Sequence, residues 1–138
     1  MGDDAVGISN VSKNEYTYNI LKRGLDAASE RGTVIGNNIA NINTKDYKRK
    51  YVTFEETLKN SSDNLEMKTT DEKHMKINGD AGDIQVKQDN SNLKEDGNNV
   101  DIDNEMVNLA ANNLMYNAMI SQINSRFSMT KDVINGGK

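Results

Sequence analysis

Neither cysteine, proline nor tryptophan occurs in the chain, and histidine occurs once, at His74. Without Cys there is no disulfide framework, no thiolate zinc site and no thiol nucleophile. One His alone builds neither a histidine-based zinc site nor a Ser-His-Asp device. Aromatic residues make up 5% and apolar residues 35% of 138 positions. A compact α/β enzyme of this size would carry more Leu, Ile, Val and Phe to offset chain entropy. The composition therefore implies elongated helices and polar connections whose burial depends on partners.

Other absences narrow the role. No apolar run approaches the roughly 18 residues of a membrane-spanning helix. The start, MGDDAVGISNVSKNEY, is acidic and has no apolar core for a cleaved signal peptide. Val6 stands where the myristoylation pattern needs Ser or Thr. No glycine loop for phosphates is present. The adjacent carboxylates Glu55 and Glu56 suit a helix start rather than the two sides of a glycosidase cleft. The net charge of −4 argues against broad nucleic-acid binding. We therefore expect no catalytic residue, no metal site and no cofactor.

What is present is helical period and asparagine. Tyr18, Leu21, Leu25, Ala28, Gly32, Ile35, Ile39 and Ile42 recur at alternating spacings of three and four, the mark of a helix packed on another helix. Ala28 and Gly32 are small enough for a close neighbour. Between Gly36 and Leu58 that helix ends among Asn37, Asn38, Asn41 and Asn43, which crowd its flanks although Asn competes for backbone hydrogen bonds. An extended basic segment with Tyr47, Val52 and Phe54 follows, so the stretch reads as a structural joint. Its cluster Lys45, Lys48, Arg49 and Lys50 suits acidic neighbours in an assembly better than nucleic acid.

A second helix opens after Gly97-Asn98-Asn99-Val100, with Asp101 as N-cap and Asp103 and Glu105 loading the first turn. It runs to about Ile134. One stripe holds Met106, Leu109, Asn113, Tyr116, Ile120, Ile123 and Phe127, with Asn113 as a polar intrusion of the register-fixing kind. Another, about 100° away, holds Val107, Ala111, Leu114 and Ala118. One partner helix needs only a narrow seam. The extra width points to contacts between subunits.

The expected fold is mainly α: two long N- and C-terminal helices packed as an antiparallel, coiled-coil-like pair, with a polar, partly extended or disordered middle. The boundaries expected are a flexible tail over 1–13, a helix over 14–43, a turn-rich middle over 44–98 with a short strand at Ile84–Lys87, and a helix over 99–135.

The run Asn38-Ile39-Ala40-Asn41-Ile42-Asn43-Thr44, followed by Tyr47-Lys48, resembles the N-terminal signature of bacterial flagellar rod and hook proteins. The run Asp96-Gly97-Asn98-Asn99-Val100-Asp101 resembles a block that precedes the long C-terminal helix in the proximal rod members of that family. The family usually has Thr-Pro-Gly-Tyr where this chain has Thr44-Lys45-Asp46-Tyr47. The resemblance implies a structural, non-enzymatic subunit of the basal-body rod, exported without a cleaved signal peptide. It also implies partners: further copies, other rod subunits, the membrane ring and the export apparatus, but no nucleic acid or small-molecule substrate. Another axial rod or hook-type protein is the alternative, and a helical nucleic-acid adaptor a more distant one.

Overall fold

The structure, a computed structural model, describes residues 3–66 and 82–136, giving only the helix backbone for 3–12 and 61–66. His74 and the turns expected at 77–81 lie outside the described residues. In chain order the elements are α1 (Asp3–Ala40), β1 (Lys50–Thr53), α2 (Glu55–Glu66), β2 (Gln85–Gln88) and α3 (Ile102–Asn135).

The backbone is already helical at Asp3, and no proline follows to stop α1. Residues 3–13 are thus helical instead of a loose tail. At the other end the α-helix closes at Ala40, and bonds from Ile42 N to Ile39 O and from Thr44 N to Asn41 O tighten the last turns. The Asp101 carboxylate caps α3, accepting from the backbone N–H of Asp103 at 3.0 Å and of Asn104 at 3.4 Å. Spanning 34 residues, α3 is about 50 Å long.

α1 and α3 run antiparallel: Asn38 meets Glu105, Ala28 meets Asn112, and Tyr18 meets Phe127. The expected helix pair is therefore present. α1 offers a face of small residues, with Gly24, Ala27 and Ala28 buried beside Val34, Ile35 and Asn38. A Cβ on Gly24 would lie 2.7 Å from Met119 Sδ, so the helices touch closely there. Leu21, Leu25, Ile39 and Ile42 are half-buried along the edges of this face.

The face that α3 turns to α1 is not the most apolar one. Glu105 and Asn112 are buried, and Asn108, Leu109, Met119, Ile123 and Arg126 half-buried. Asn113, expected on the seam, is exposed, and Asn112 holds that place. The contact is turned by less than one residue's 100° from the stripe read in the sequence. Met106, Tyr116, Ile120 and Phe127 sit at its edge with much of their surface exposed, and Leu114 stands well clear of it.

Between the long helices, β1 pairs antiparallel with β2, Val52 opposite Val86. β2 covers most of the short strand expected at Ile84–Lys87. β1 buries Val52 and Thr53 near α1, and Phe54 closes its end. Glu55 and Glu56 form the acidic first turn of α2, as their sequence position suggested. Gly82, at φ +78°, lies against the Phe54 ring, where an added Cβ would come within 2.6 Å of Cε2. Only glycine suits that backbone and that space.

Candidate functional site

Three buried asparagines and one buried glutamate join the two signature blocks. Asn38, near the end of α1, uses its whole amide. Its NH2 donates to the Lys50 carbonyl at 2.8 Å and to Glu105 Oε2 at 3.1 Å. Its oxygen accepts from the Tyr47 hydroxyl at 3.1 Å and from Lys50 N at 3.0 Å. An amide has two donors and two lone pairs, so Asn38 is fully satisfied. One side chain thereby ties α1, the Tyr47 turn, β1 and α3. The sequence reading put the asparagines on the flanks of α1; Asn38 instead lies at the centre of its packed face.

Asn98 closes the end of α1. Its NH2 group lies 2.9, 3.0 and 2.8 Å from the carbonyls of Asn41, Ile42 and Thr44. These carbonyls follow the end of α1; those of Asn41 and Thr44 already accept from Thr44 N and Tyr47 N, and a side chain from more than fifty residues on gathers all three. Asn99 does the same for the ribbon: it accepts from Arg49 N at 2.6 Å and donates to the carbonyls of Asp89 and Ser91. Asp46 N donates to Asp96 O, so the Thr44–Tyr47 turn is held against the second block directly.

Charge completes the hub. The fully buried Glu105 carboxylate takes an ion pair from Arg49 Nε in addition to the Asn38 amide. Glu105 is therefore more than a first-turn charge, and Arg49 is turned inward instead of toward a partner. Lys48 also points back, to Asn92 Oδ1 at 2.7 Å. Of the four basic residues expected to face acidic neighbours, these two are engaged within the chain. Burial and then the Glu105 charge push the Tyr47 phenol above its ordinary value. The N–H and hydroxyl of Ser91, aided by Arg49 and Lys48, hold Asp89 below the usual carboxylate range.

A second polar contact lies along the helix pair. Asn112 donates to the Ala28 carbonyl at 2.8 Å, and Arg31 bonds both oxygens of Glu55 at 2.7 and 3.0 Å. A cleft of about 280 Å³ opens between α1, β1 and α3, but its arginines are already paired with Glu55 and Glu105. Among the described residues no group of three or more His, Cys, Asp or Glu could hold a metal ion. The arrangement holds chain segments in place.

Comparison with known proteins places these blocks. A family model described as flagella basal body rod protein matches residues 19–48. The flagellar basal body rod protein FlgB of Bacillus subtilis is 38% identical over 123 residues, covering 88% of this chain and 95% of its own. FlgB of Borrelia hermsii is also 38% identical, over 74% of this chain and 83% of its own. FlgB of Borreliella burgdorferi is 33% identical over 115 residues. The chain belongs to the FlgB family of flagellar basal body rod proteins. Membership makes it a structural rod subunit located in the basal body of the bacterial flagellum, and no helix among the described residues is long and apolar enough to cross a membrane.

In this FlgB-family chain the signature residues Asn38, Asn41, Thr44, Tyr47, Lys48, Asn98, Asn99, Val100 and Asp101 converge on the hub or its border, whereas Ala40 and Asn43 face solvent. The sequence reading missed Glu105, Arg49 and Asn112 as interior polar groups. A signal existed: Glu105 and Asn112 stand seven residues apart, one heptad, and Glu105 is the last charge before a stretch from Met106 to Ser125 that has none.

Proposed function

We propose that the chain is a proximal rod subunit whose helix pair packs side by side with further copies and other rod subunits, and that the rod so built carries torque. α3 supports this reading most directly. From Met106 to Ser125 it has no charged residue, yet Met106, Val107, Leu114 and Tyr116 are exposed, Leu114 by 73%. An uncharged, apolar helix flank of that length favours a covering surface. The hub supplies what a load-bearing subunit needs: α1, the signature turn, the ribbon and α3 are fastened by interior bonds that do not depend on neighbours. The resemblance noted in the sequence supports attachment toward the membrane ring and the export apparatus, and a non-enzymatic role.

Leu114→Ser tests the reading. The helicity of the purified chain should stay unchanged while co-sedimentation with other rod subunits is lost. Ile123→Ala, on the half-buried α1 side, should lower helicity and co-sedimentation together. Retained co-sedimentation by Leu114→Ser would remove this flank from the interface.

A further inference from the structure

The end of α3 carries chemistry that the assembly role does not use. The chain holds 21 asparagines, and two of them precede a glycine: Asn78, outside the described residues, and Asn135. Asn135 is the last residue of α3, and Gly136 is its C-cap. Both are exposed, as are Val133 at 81% and Ile134 at 76%, so no described residue covers this turn. The Gly136 N–H to Asp132 O bond is the cap's tie to the helix, and no basic side chain in the last turn supports it. Helix ends held this loosely open readily.

We propose that Asn135-Gly136 is a site of spontaneous deamidation. When the last turn opens, the Gly136 amide nitrogen, freed from the Asp132 carbonyl, attacks Cγ of Asn135. The nitrogen gives up its proton, the Cγ to side-chain nitrogen bond breaks, and ammonia leaves a five-membered succinimide. Water opens the ring at either carbonyl, giving aspartate or isoaspartate; the balance is one water in and one ammonia out, with no oxidant. Glycine matters because it places no Cβ beside the attacking nitrogen and lets the backbone turn into position. Asn98 and Asn99, by contrast, are buried, hydrogen-bonded at both ends of their amides, and followed by residues with side chains. The product puts a carboxylate at the negative end of the α3 dipole, where it repels the last carbonyls. It does so beside Val133 and Ile134. The amide-to-acid change therefore loosens the tip of α3.

The test incubates the full-length chain at mildly alkaline pH and digests samples over time for mass spectrometry. The peptide holding Asn135 should gain the mass of amide-to-acid exchange and split into aspartate and isoaspartate forms, while the peptide holding Asn98 and Asn99 stays unchanged. Asn135→Gln should slow conversion by an order of magnitude or more, because the longer side chain must close a six-membered ring. In parallel, Asn135→Asp should speed backbone hydrogen exchange over the last turn of α3 and leave the hub unaltered. If Asn135 stays an amide while the free peptide Val133–Lys138 converts, the folded end protects it and the site is refuted. Unchanged exchange in Asn135→Asp would refute the loosening.

Discussion

Asn38 and Glu105, sixty-seven residues apart in sequence, meet as a buried pair 3.1 Å apart and bind the end of α1 to the start of α3. Around them the Tyr47 hydroxyl, both polar groups of the Lys50 backbone and the Arg49 guanidinium find their partners. Each group is costly to bury alone and cheap once all are matched.

Asn38→Ala should therefore cost more than its size suggests. It leaves Glu105 Oε2, the Tyr47 hydroxyl and the Lys50 N–H short of a partner, at about 1–3 kcal/mol for each buried group that water cannot reach. Asn38→Asp should be worse at neutral pH, since it sets a second carboxylate against Glu105. Urea unfolding followed by circular dichroism measures both. A midpoint for Asn38→Ala within error of the parent would show that the hub does not hold the fold.

Removing one partner of the Arg49–Glu105 pair should cost roughly 3 kcal/mol when the Glu105 carboxylate is the one left, because it lies fully inside. Arg49→Met should thus destabilise more than Glu105→Gln, whose arginine keeps partial access to solvent. The double variant should recover part of the loss, and a denaturation cycle over the four proteins reads the coupling. Simple additivity would mean that the pair contributes no coupling.

Titration gives the hub a signature at high pH. The folded chain holds the Tyr47 proton more tightly than the unfolded chain does, so this contribution is complete below the ordinary tyrosine value of about 10. It disappears as pH rises from there through the higher folded value. Tyr47→Phe should flatten the fall in stability above pH ~10 relative to the parent. Asp89 acts in the opposite range: its depressed value gives stability that is present above the unfolded carboxylate value and is lost as acid takes the pH through the folded one. Asp89→Asn should flatten the acid limb, and identical limbs in parent and variant would contradict the assignment.

Asp46 has φ +59°, a left-handed backbone, at the position where the signature usually has glycine. Relief of that conformation should let Asp46→Gly raise stability by about 1 kcal/mol. Gly97 faces it at φ +81°, and a Cβ there would come within 2.5 Å of Asp46 Oδ1. Gly97→Ala should therefore be strongly destabilising in the parent and less so beside Asp46→Gly, since the Oδ1 contact goes but the backbone strain stays. Equal costs in both backgrounds would show that the contact carries no energy.

The amino-acid sequence by itself determined the two long helices, the Asp101 cap, the joint after Ala40, the short second strand and the family. These follow from local causes: apolar period, cap chemistry and runs of residues that resemble a family signature. Only the tertiary structure decided which flank of α3 meets α1. Apolar count alone favours the stripe through Met106, Asn113 and Ile120. Glu105 and Asn112 win the inner place because Arg49, Asn38 and the Ala28 carbonyl meet them there. Those partners lie 56, 67 and 84 residues away. No window along the chain shows such a match, since burying a polar group is favourable only when its distant partner arrives with it.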